Sequence, residues 1–273
     1  MQDSYCVFGN PIAHSRSPAI HSAFAASTGE NLSYRAILAP LDDFAGSVRR
    51  FMAAGGRGAN VTVPFKEEAY RLSTHLSDRA RQAGAVNTLS FAADGSIHGD
   101  NTDGAGLLAD LQNNLGCTLA GRRILLLGAG GAARGAVAPL LAAHPACLHI
   151  ANRNADKADQ LAARFHGDVP LHGSSFAALA GQQFDLVINA TAASLAGEPL
   201  PLPAGLFAPD ALAYDMMYAR DGTPFLAQAQ AQGASRCADG LGMLVEQAAE
   251  AFFVWRGIRP ATAAVLSQLR HAP

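Results

Sequence analysis

Within the run NVTVPFKEE a lysine stands where a helix disfavours a cation. Asn60 to Val63 read as the end of a strand, Pro64 suits the first turn of a helix, and Lys66 falls inside that turn beside Glu67 and Glu68. The helix N-terminus carries partial positive charge, which favours the glutamates and disfavours the lysine by roughly 0.3–1 kcal/mol. A solvated lysine whose stem covers the helix start is the simpler reading of one such residue. The alternative is an amine that dipole and partial burial make usable as an acid or base near neutral pH. Asp103, in GDNTDG, is a second candidate just past another strand, although a lone aspartate there also serves as a helix cap. Both strand ends could face one cleft, pairing an ammonium with a carboxylate. Further polar groups occur at strand-to-helix turns: Ser15 and Ser17 in NPIAHSRSP, Thr62 before Pro64, and Asn87 in GAVNT. Together they suit a small polyhydroxylated or carboxylated molecule, while each alone reads as a turn or cap residue, Ser17 being an N-cap candidate. His14, beside the serines, has no visible carboxylate partner and reads as structural.

A second chemistry is carried by LLLGAGGAARG, which follows a strand and opens a helix, with Gly128, Gly130 and Ala133 in a GxGxxG/A pattern. Gly128 permits the tight turn, Gly130 lets a pyrophosphate approach the backbone, and Ala133 allows close packing of helix on strand. The helix N-terminus then holds the phosphates of a dinucleotide. The next strand, CLHIA, ends in Asn152, Arg153 and Asn154, with Lys157 following and no acid at its tip to bond a ribose 2′-OH. That favours NADP(H) over NAD(H); Asp156 is better placed to serve the following helix. A nicotinamide implies hydride transfer, and Lys66 and Asp103 are the candidates for handling the accompanying proton. No Tyr-x-x-x-Lys spacing with a serine is present.

These residues must be positioned by an α/β fold. The first hundred residues alternate β-like runs (SYCVFG, YRAIL, GANVTV, VNTLSF) with helical ones, and the rhythm restarts at Arg123 with RRILLLG, CLHIA, VPLHG, FDLVINA and ALAYDMMY. Nearly continuous apolar runs in the second half indicate parallel strands covered on both faces. The expected architecture is two α/β domains with a cleft between them. Residues 1–102 form a substrate-binding domain with a mostly parallel sheet, completed by strand-free helices in 241–273, and residues 103–240 form a Rossmann-like domain. GEPLPLPAGLFAPDA is expected to be a loop.

The 273 residues are 49% apolar with a formal net charge of −2, enough for two cores and without a basic field for a nucleic acid. No apolar run reaches the ~18–20 residues that span a bilayer, so a cytoplasmic protein without a membrane partner is expected. Four isolated cysteines and histidines without HxH or HExxH spacing give no metal site.

In order and over nearly the whole chain, GNPIAHSRSPAIH, GANVTVPFK, GAVNT, GDNTDG, LLLGAGGAARG, ANRN, INAT, YDMMYARDGTPFL and ADGLGMLVEQAAEAF resemble the motif series of the shikimate dehydrogenase family. The resemblance implies NADPH-dependent reduction of 3-dehydroshikimate to shikimate in the aromatic amino-acid pathway, by a monomer or homodimer. It implies that Lys66 and Asp103 are the catalytic pair. Ser15 and Ser17 would bind the substrate carboxylate with help from Tyr218, while Thr62, Asn87 and Gln247 surround the ring hydroxyls. It places Gly128, Ala129, Gly130, Gly131, Ala132 and Thr191 at the cofactor, with Asn152, Arg153 and Lys157 at its 2′-phosphate and Met216, Gly240 and Met243 near the nicotinamide. Two departures stand out: Asn154 where the family commonly has threonine, and Ala192 and Ala193 after INAT where serine is frequent. Altered cofactor contacts are expected there. A quinate/shikimate dehydrogenase with broader cofactor use, or a catalytically silent NADP-binding protein, are the rival readings.

Overall fold

Strand β1 (Asp3–Gly9) buries its last five residues and lies between β2 (Leu32–Leu38) and β3 (Gly56–Val61), parallel to both. The helix after β1, α1 (Ser17–Thr28), buries Ser17, Ile20, His21, Phe24 and Ala25, the i, i+3, i+4, i+7, i+8 stripe of a helix laid on a sheet. It stops at Gly29, whose left-handed backbone (φ 73°) accommodates the turn into β2. Arg16, not Ser17, occupies the N-cap position and its side chain makes no cap hydrogen bond; the Ser17 N–H donates to Ser15 Oγ at 3.3 Å. The expectation that Ser17 caps α1 is thereby corrected.

After α2 (Phe44–Ala53) and β3 comes α3 (Lys66–Leu72), then β4 (His75–Leu76), α4 (Asp78–Ala83), β5 (Thr88–Phe91), β6 (Ile97–Asp100) and α5 (Asp103–Ala109). Helix α3 begins at Lys66, so Pro64 lies in the preceding turn rather than in the helix as expected. The sheet runs β2-β1-β3-β5-β6-β4, and β5 is antiparallel to both neighbours. The β5–β6 turn is built on Asp94-Gly95, with Gly95 at φ 85° and the Ser96 N–H donating to Asp94 Oδ1. That Asp-Gly pair is the signal that could have revealed β6 beforehand.

The second sheet is wholly parallel. Its strands are β7 (Arg123–Leu127), β8 (Cys147–Asn152), β9 (Leu171–Ser175), β10 (Phe184–Asn189), β11 (Phe207–Asp215) and β12 (Arg236–Asp239), in the order β12-β11-β10-β7-β8-β9. Renumbered along the chain this is 6-5-4-1-2-3, the order of a dinucleotide-binding sheet. Helices α6 (Gly131–Ala142), α7 (Ala155–Ala162) and α8 (Pro224–Ala231) cover it. Strand β11 starts at Phe207, inside the stretch expected to be a loop; a register shift lies opposite Phe184 to Leu186, so Pro209 sits at an irregularity where a missing N–H is tolerated.

The chain ends in α9 (Leu241–Arg256) and α10 (Ala263–His271). Val245, Ala248, Ala249 and Phe252 of α9 share a core with Tyr5, Ile20, Phe24 and Tyr34, which returns the C-terminus to the first sheet. By contact density the chain divides into Met1–Gly106 with Leu244–Pro273, and Leu107–Met243. The first division extends beyond the expected boundary at residue 102 and takes Asp103 with it. The computed structural model describes residues 2–191, 193, 197 and 199–271; of the two alanines after INAT, Ala192 lies outside the described residues.

Candidate active site

The carboxyl ends of β1 and β3 are neighbours because the chain leaves β1 toward β2 on one side and returns as β3 on the other, a topological switch point. Thr62 follows β3, and Ser15 and Ser17 close the turn after β1. The two loops meet at Gly9, where a Cβ would lie 2.6 Å from Thr62 Cγ2 and 2.8 Å from Ile12 Cδ1, so a larger residue would have to displace both side chains.

Lys66 opens α3 and its Nζ donates to Asp103 Oδ2 at 2.6 Å. The side chains are 29% and 11% exposed, so the pair is reachable by a small molecule yet shielded enough for its charges to act strongly. Asp103 Oδ1 accepts from Asn87 Nδ2 at 2.8 Å, and the Asp103 N–H donates to Asn101 Oδ1 at 3.1 Å. The Asp103 carboxylate is therefore held by two side chains rather than spent as a helix cap. Asn87 is fixed in turn: its Oδ1 accepts from the Thr102 N–H and from Thr88 Oγ1, both at 2.8 Å. Backbone ties hold the frame, with Val86 N–H donating to Lys66 O and Val61 N–H to Asn87 O. Gln247 of α9 reaches the cluster through Asn87 Nδ2 at 3.4 Å.

Lys66, Asp103, Asn87 and Gln247 thus come together from α3, α5, the start of β5 and α9. Residues that the sequence did not single out support them. Buried Asn60 accepts from Tyr34 Oη at 2.7 Å and donates to Thr88 Oγ1 at 3.2 Å, and buried Thr88 and Thr102 bracket Asn87. Asn60 and Thr88 are polar groups inside strands, where only a paired amide or hydroxyl is tolerated; that misfit was the available signal.

Outside the carboxyl ends of β7 and β10, the switch point of the parallel sheet, lies a cavity of about 720 Å³. Gly128, Ala129, Gly130, Gly131 and Ala132 line it, as do Asn152, Lys157 and Thr191. Gly128 has φ 109°, and a Cβ there would press on Thr191 Cγ2 at 3.1 Å. Gly130 faces open space and Gly131 has nothing nearer than an Arg134 nitrogen, so backbone amides at the start of α6 are bare enough to take a phosphate. Three cations, Arg134, Lys157 and Arg164, complete a donor set that fits a polyanionic dinucleotide.

Other expected cofactor residues fall elsewhere. Arg153 is exposed and does not line the cavity, nor do Met216, Gly240 and Met243. Met243 is a core residue, 8% exposed, with Met216 packed on the same core; Gly240 lies against Met216, whose carbonyl oxygen a Cβ would meet at 2.2 Å. Asn154 caps α7 by accepting from the Asp156 N–H at 2.9 Å, a task that a hydroxyl residue could share. Tyr218 is half-buried in the segment after β11.

Three family models cover this chain: the shikimate dehydrogenase substrate binding domain matches residues 7–89, shikimate/quinate 5-dehydrogenase residues 110–196, and the shikimate 5′-dehydrogenase C-terminal domain residues 240–270. The chain belongs to the shikimate dehydrogenase family. The NADP(+)-dependent shikimate dehydrogenase of Dechloromonas aromatica is 69% identical over 271 residues, covering 99% of this chain and 98% of that one. Among solved structures, an Ael1 enzyme from Pseudomonas putida superposes with a TM-score of 0.93 at 50% identity, covering 98% of each chain. The shikimate 5-dehydrogenase of Thermus thermophilus, solved with NADP(H) and shikimate, gives 0.85 at 33% identity over 100% of each chain. The family's fold accounts for both switch points.

Proposed function

We propose that this chain interconverts 3-dehydroshikimate and shikimate with NADP(H), with Lys66 and Asp103 at the reacting oxygen. The 2.6 Å ion pair between them, braced by Asn87, is the observation that carries the reading. NADPH, when bound, supplies the hydride that reduces the carbonyl carbon. The negative charge that develops on the oxygen needs a donor, and the Lys66 ammonium has three N–H groups of which Asp103 engages one. Asp103 aims that ammonium, and its carboxylate can accept from a ring hydroxyl. In the oxidative direction Lys66 in its neutral form accepts the hydroxyl proton.

Ser15 and Ser17, in the turn after β1, are the proposed hydroxyl donors to the substrate carboxylate, with Tyr218. Thr62, Asn87 and Gln247 are proposed to read the ring hydroxyls. The amides of Gly128–Ala132 are proposed to hold the pyrophosphate beside Thr191, with Asn152, Arg153 and Lys157 toward the 2′-phosphate and Met216, Gly240 and Met243 toward the nicotinamide.

Steady-state oxidation of shikimate by NADP+ tests the reading. Lys66→Ala is expected to lower kcat by about 10²–10⁴-fold, while calorimetric affinity for shikimate changes much less. Wild-type turnover in that variant would remove Lys66 from the chemistry.

A further inference from the structure

Tyr34 in β2, Asn60 in β3 and Thr88 in β5 bury polar atoms inside strands of the first sheet, and Asn60 stands opposite Thr88 in the ladder. A strand asks only for a shape that packs there; a polar atom in that place costs stability unless it is paired. Their hydrogen bonds all run in one sense. Tyr34 Oη donates to Asn60 Oδ1 at 2.7 Å and Asn60 Nδ2 to Thr88 Oγ1 at 3.2 Å. Thr88 Oγ1 donates to Asn87 Oδ1 at 2.8 Å, and Asn87 Nδ2 to Asp103 Oδ1 at 2.8 Å. The backbone sets that sense. Asn60 Nδ2 also lies 3.2 Å from the Asn87 carbonyl oxygen, which only accepts, so the amino group of Asn60 must face this way. Thr88 Oγ1 therefore receives from Asn60, and its single proton is left for Asn87 Oδ1.

We infer that Thr88 is a positioning residue of the Lys66–Asp103 site: its hydroxyl holds the Asn87 amide with the amino group toward Asp103, and so keeps the Asp103 carboxylate in line with Lys66. The inference rests on the proposed chemistry of that pair. Thr88 has no exposed surface, so it acts through Asn87 rather than on a substrate. Turning the Asn87 amide over would set its Oδ1 against Asp103 Oδ1 across 2.8 Å, two acceptors with no proton between them. Two donors hold Asn87 Oδ1 on the other side, the Thr102 N–H at 2.8 Å and the Thr88 hydroxyl. Thr102 Oγ1 lies 3.2 Å from Asn87 Oδ1 but also 3.0 Å from Asn87 Nδ2, so it favours neither sense. Valine has the shape of threonine and suits a strand equally, so the Thr88 hydroxyl answers to Asn87 and not to the strand.

Steady-state oxidation of shikimate by NADP+ with Thr88→Val, Thr88→Ser and Asn87→Ala tests the inference. Removing the Thr88 hydroxyl leaves Asn60 Nδ2 with the Asn87 carbonyl and Asn87 Oδ1 with the Thr102 N–H, so neither buried group is orphaned and the fold is retained. Thr88→Val is expected to lower kcat by about tenfold or more through misplacement of Asp103. The NADP+ dissociation constant from calorimetry should stay within about twofold, and Thr88→Ser should keep kcat within about threefold of wild type. In the Asn87→Ala background, Thr88→Val should change kcat by less than about twofold, since the hydroxyl then has no amide to hold. Should Thr88→Val not fold, Thr88→Cys takes its place, a side chain of similar size with a weak donor, and the same loss is expected. Unchanged kcat in the folded variant overturns the inference. A loss in Thr88→Ser equal to that in Thr88→Val overturns it too, because the effect then lies in the methyl group; so does an undiminished loss on top of Asn87→Ala, because Thr88 then acts on the fold. A wild-type protein that does not oxidise shikimate refutes the proposed function and the inference with it, whereas turnover by the wild type and by Thr88→Val alike refutes the inference alone.

Discussion

Cations at helix starts acquire meaning from their partners. Arg79 also stands in the first turn of its helix, α4, but it is consumed structurally: its Nε and Nη2 donate to Asp100 at 2.6 Å and its Nη1 to Glu250 at 2.8 Å. Burial pushes the Asp100 carboxyl up, yet the bonds from Arg79 and Ser77 outweigh it and hold that group below its ordinary value. Lys66 meets one carboxylate and keeps donors to spare. Another titratable group is buried with no such partner. His21 is fully buried, stacked on Tyr34 at 4.2 Å, and neither ring nitrogen has a hydrogen-bond partner among the described residues. Burial lowers its pKa from 6.5 to about 3. Between those values the unfolded chain binds a proton that the folded chain does not, so stability rises with pH there and falls on acidification below 6.5. His149, lowered by burial and by His172, acts in the same direction. Urea unfolding from pH 6.5 to 4.5 should show a loss from His21 alone of up to roughly 1.4 kcal/mol per pH unit, and His21→Phe should flatten the slope. An identical slope in that variant would show that His21 titrates normally in the fold.

Elements bring the reacting groups within reach by close approach rather than by sequence proximity. Gly106 of α5 meets Gln247 of α9 so tightly that a Cβ would stand 2.6 Å from the Gln247 backbone nitrogen. Gly106→Ala should therefore push α9 away from the Asp103 turn, costing about 1–3 kcal/mol of stability by overpacking, and should raise KM for shikimate more than it lowers kcat. Unaltered KM would mean that Gln247 does not read the substrate. The Arg79 clamp works alongside, fastening α4 and α9 to the strand that leads into Asn101, Thr102 and Asp103. Element types were largely legible: apolar residues at i, i+3 and i+4 spacing, Pro18 near the start of α1 and Gly29 at its end mark the helix as the structure has it. Two-residue β4 and four-residue β12 were not, because strands so short carry too little periodicity to separate from turns.

At the scale of the molecule, each sheet supplies one switch point, and each switch point carries one kind of polar array. Hydrogen exchange should report them separately: 2′,5′-ADP is expected to slow exchange in 128–134 and 152–164, and shikimate in 60–66, 87–88 and 101–106. Protection by each ligand in the other's segments would exchange the two assignments. Motif residues such as Lys66, Asp103 and Gly128 could be found by reading along the chain, since a misplaced charge or a glycine before a helix is a local contradiction that needs only local physics. The cavity beside α6 also gathers Arg134 and Arg164, neither of which a motif in the sequence marked as a site residue. Which side chains share a cavity depends on how α6, α7 and the turn after α7, where Arg164 lies, stand on their sheet. Local charge and turn chemistry are written residue by residue; the convergence of Lys66, Asn87, Asp103 and Gln247 arises only when distant segments pack, because hydrogen bonds and ion pairs act through space.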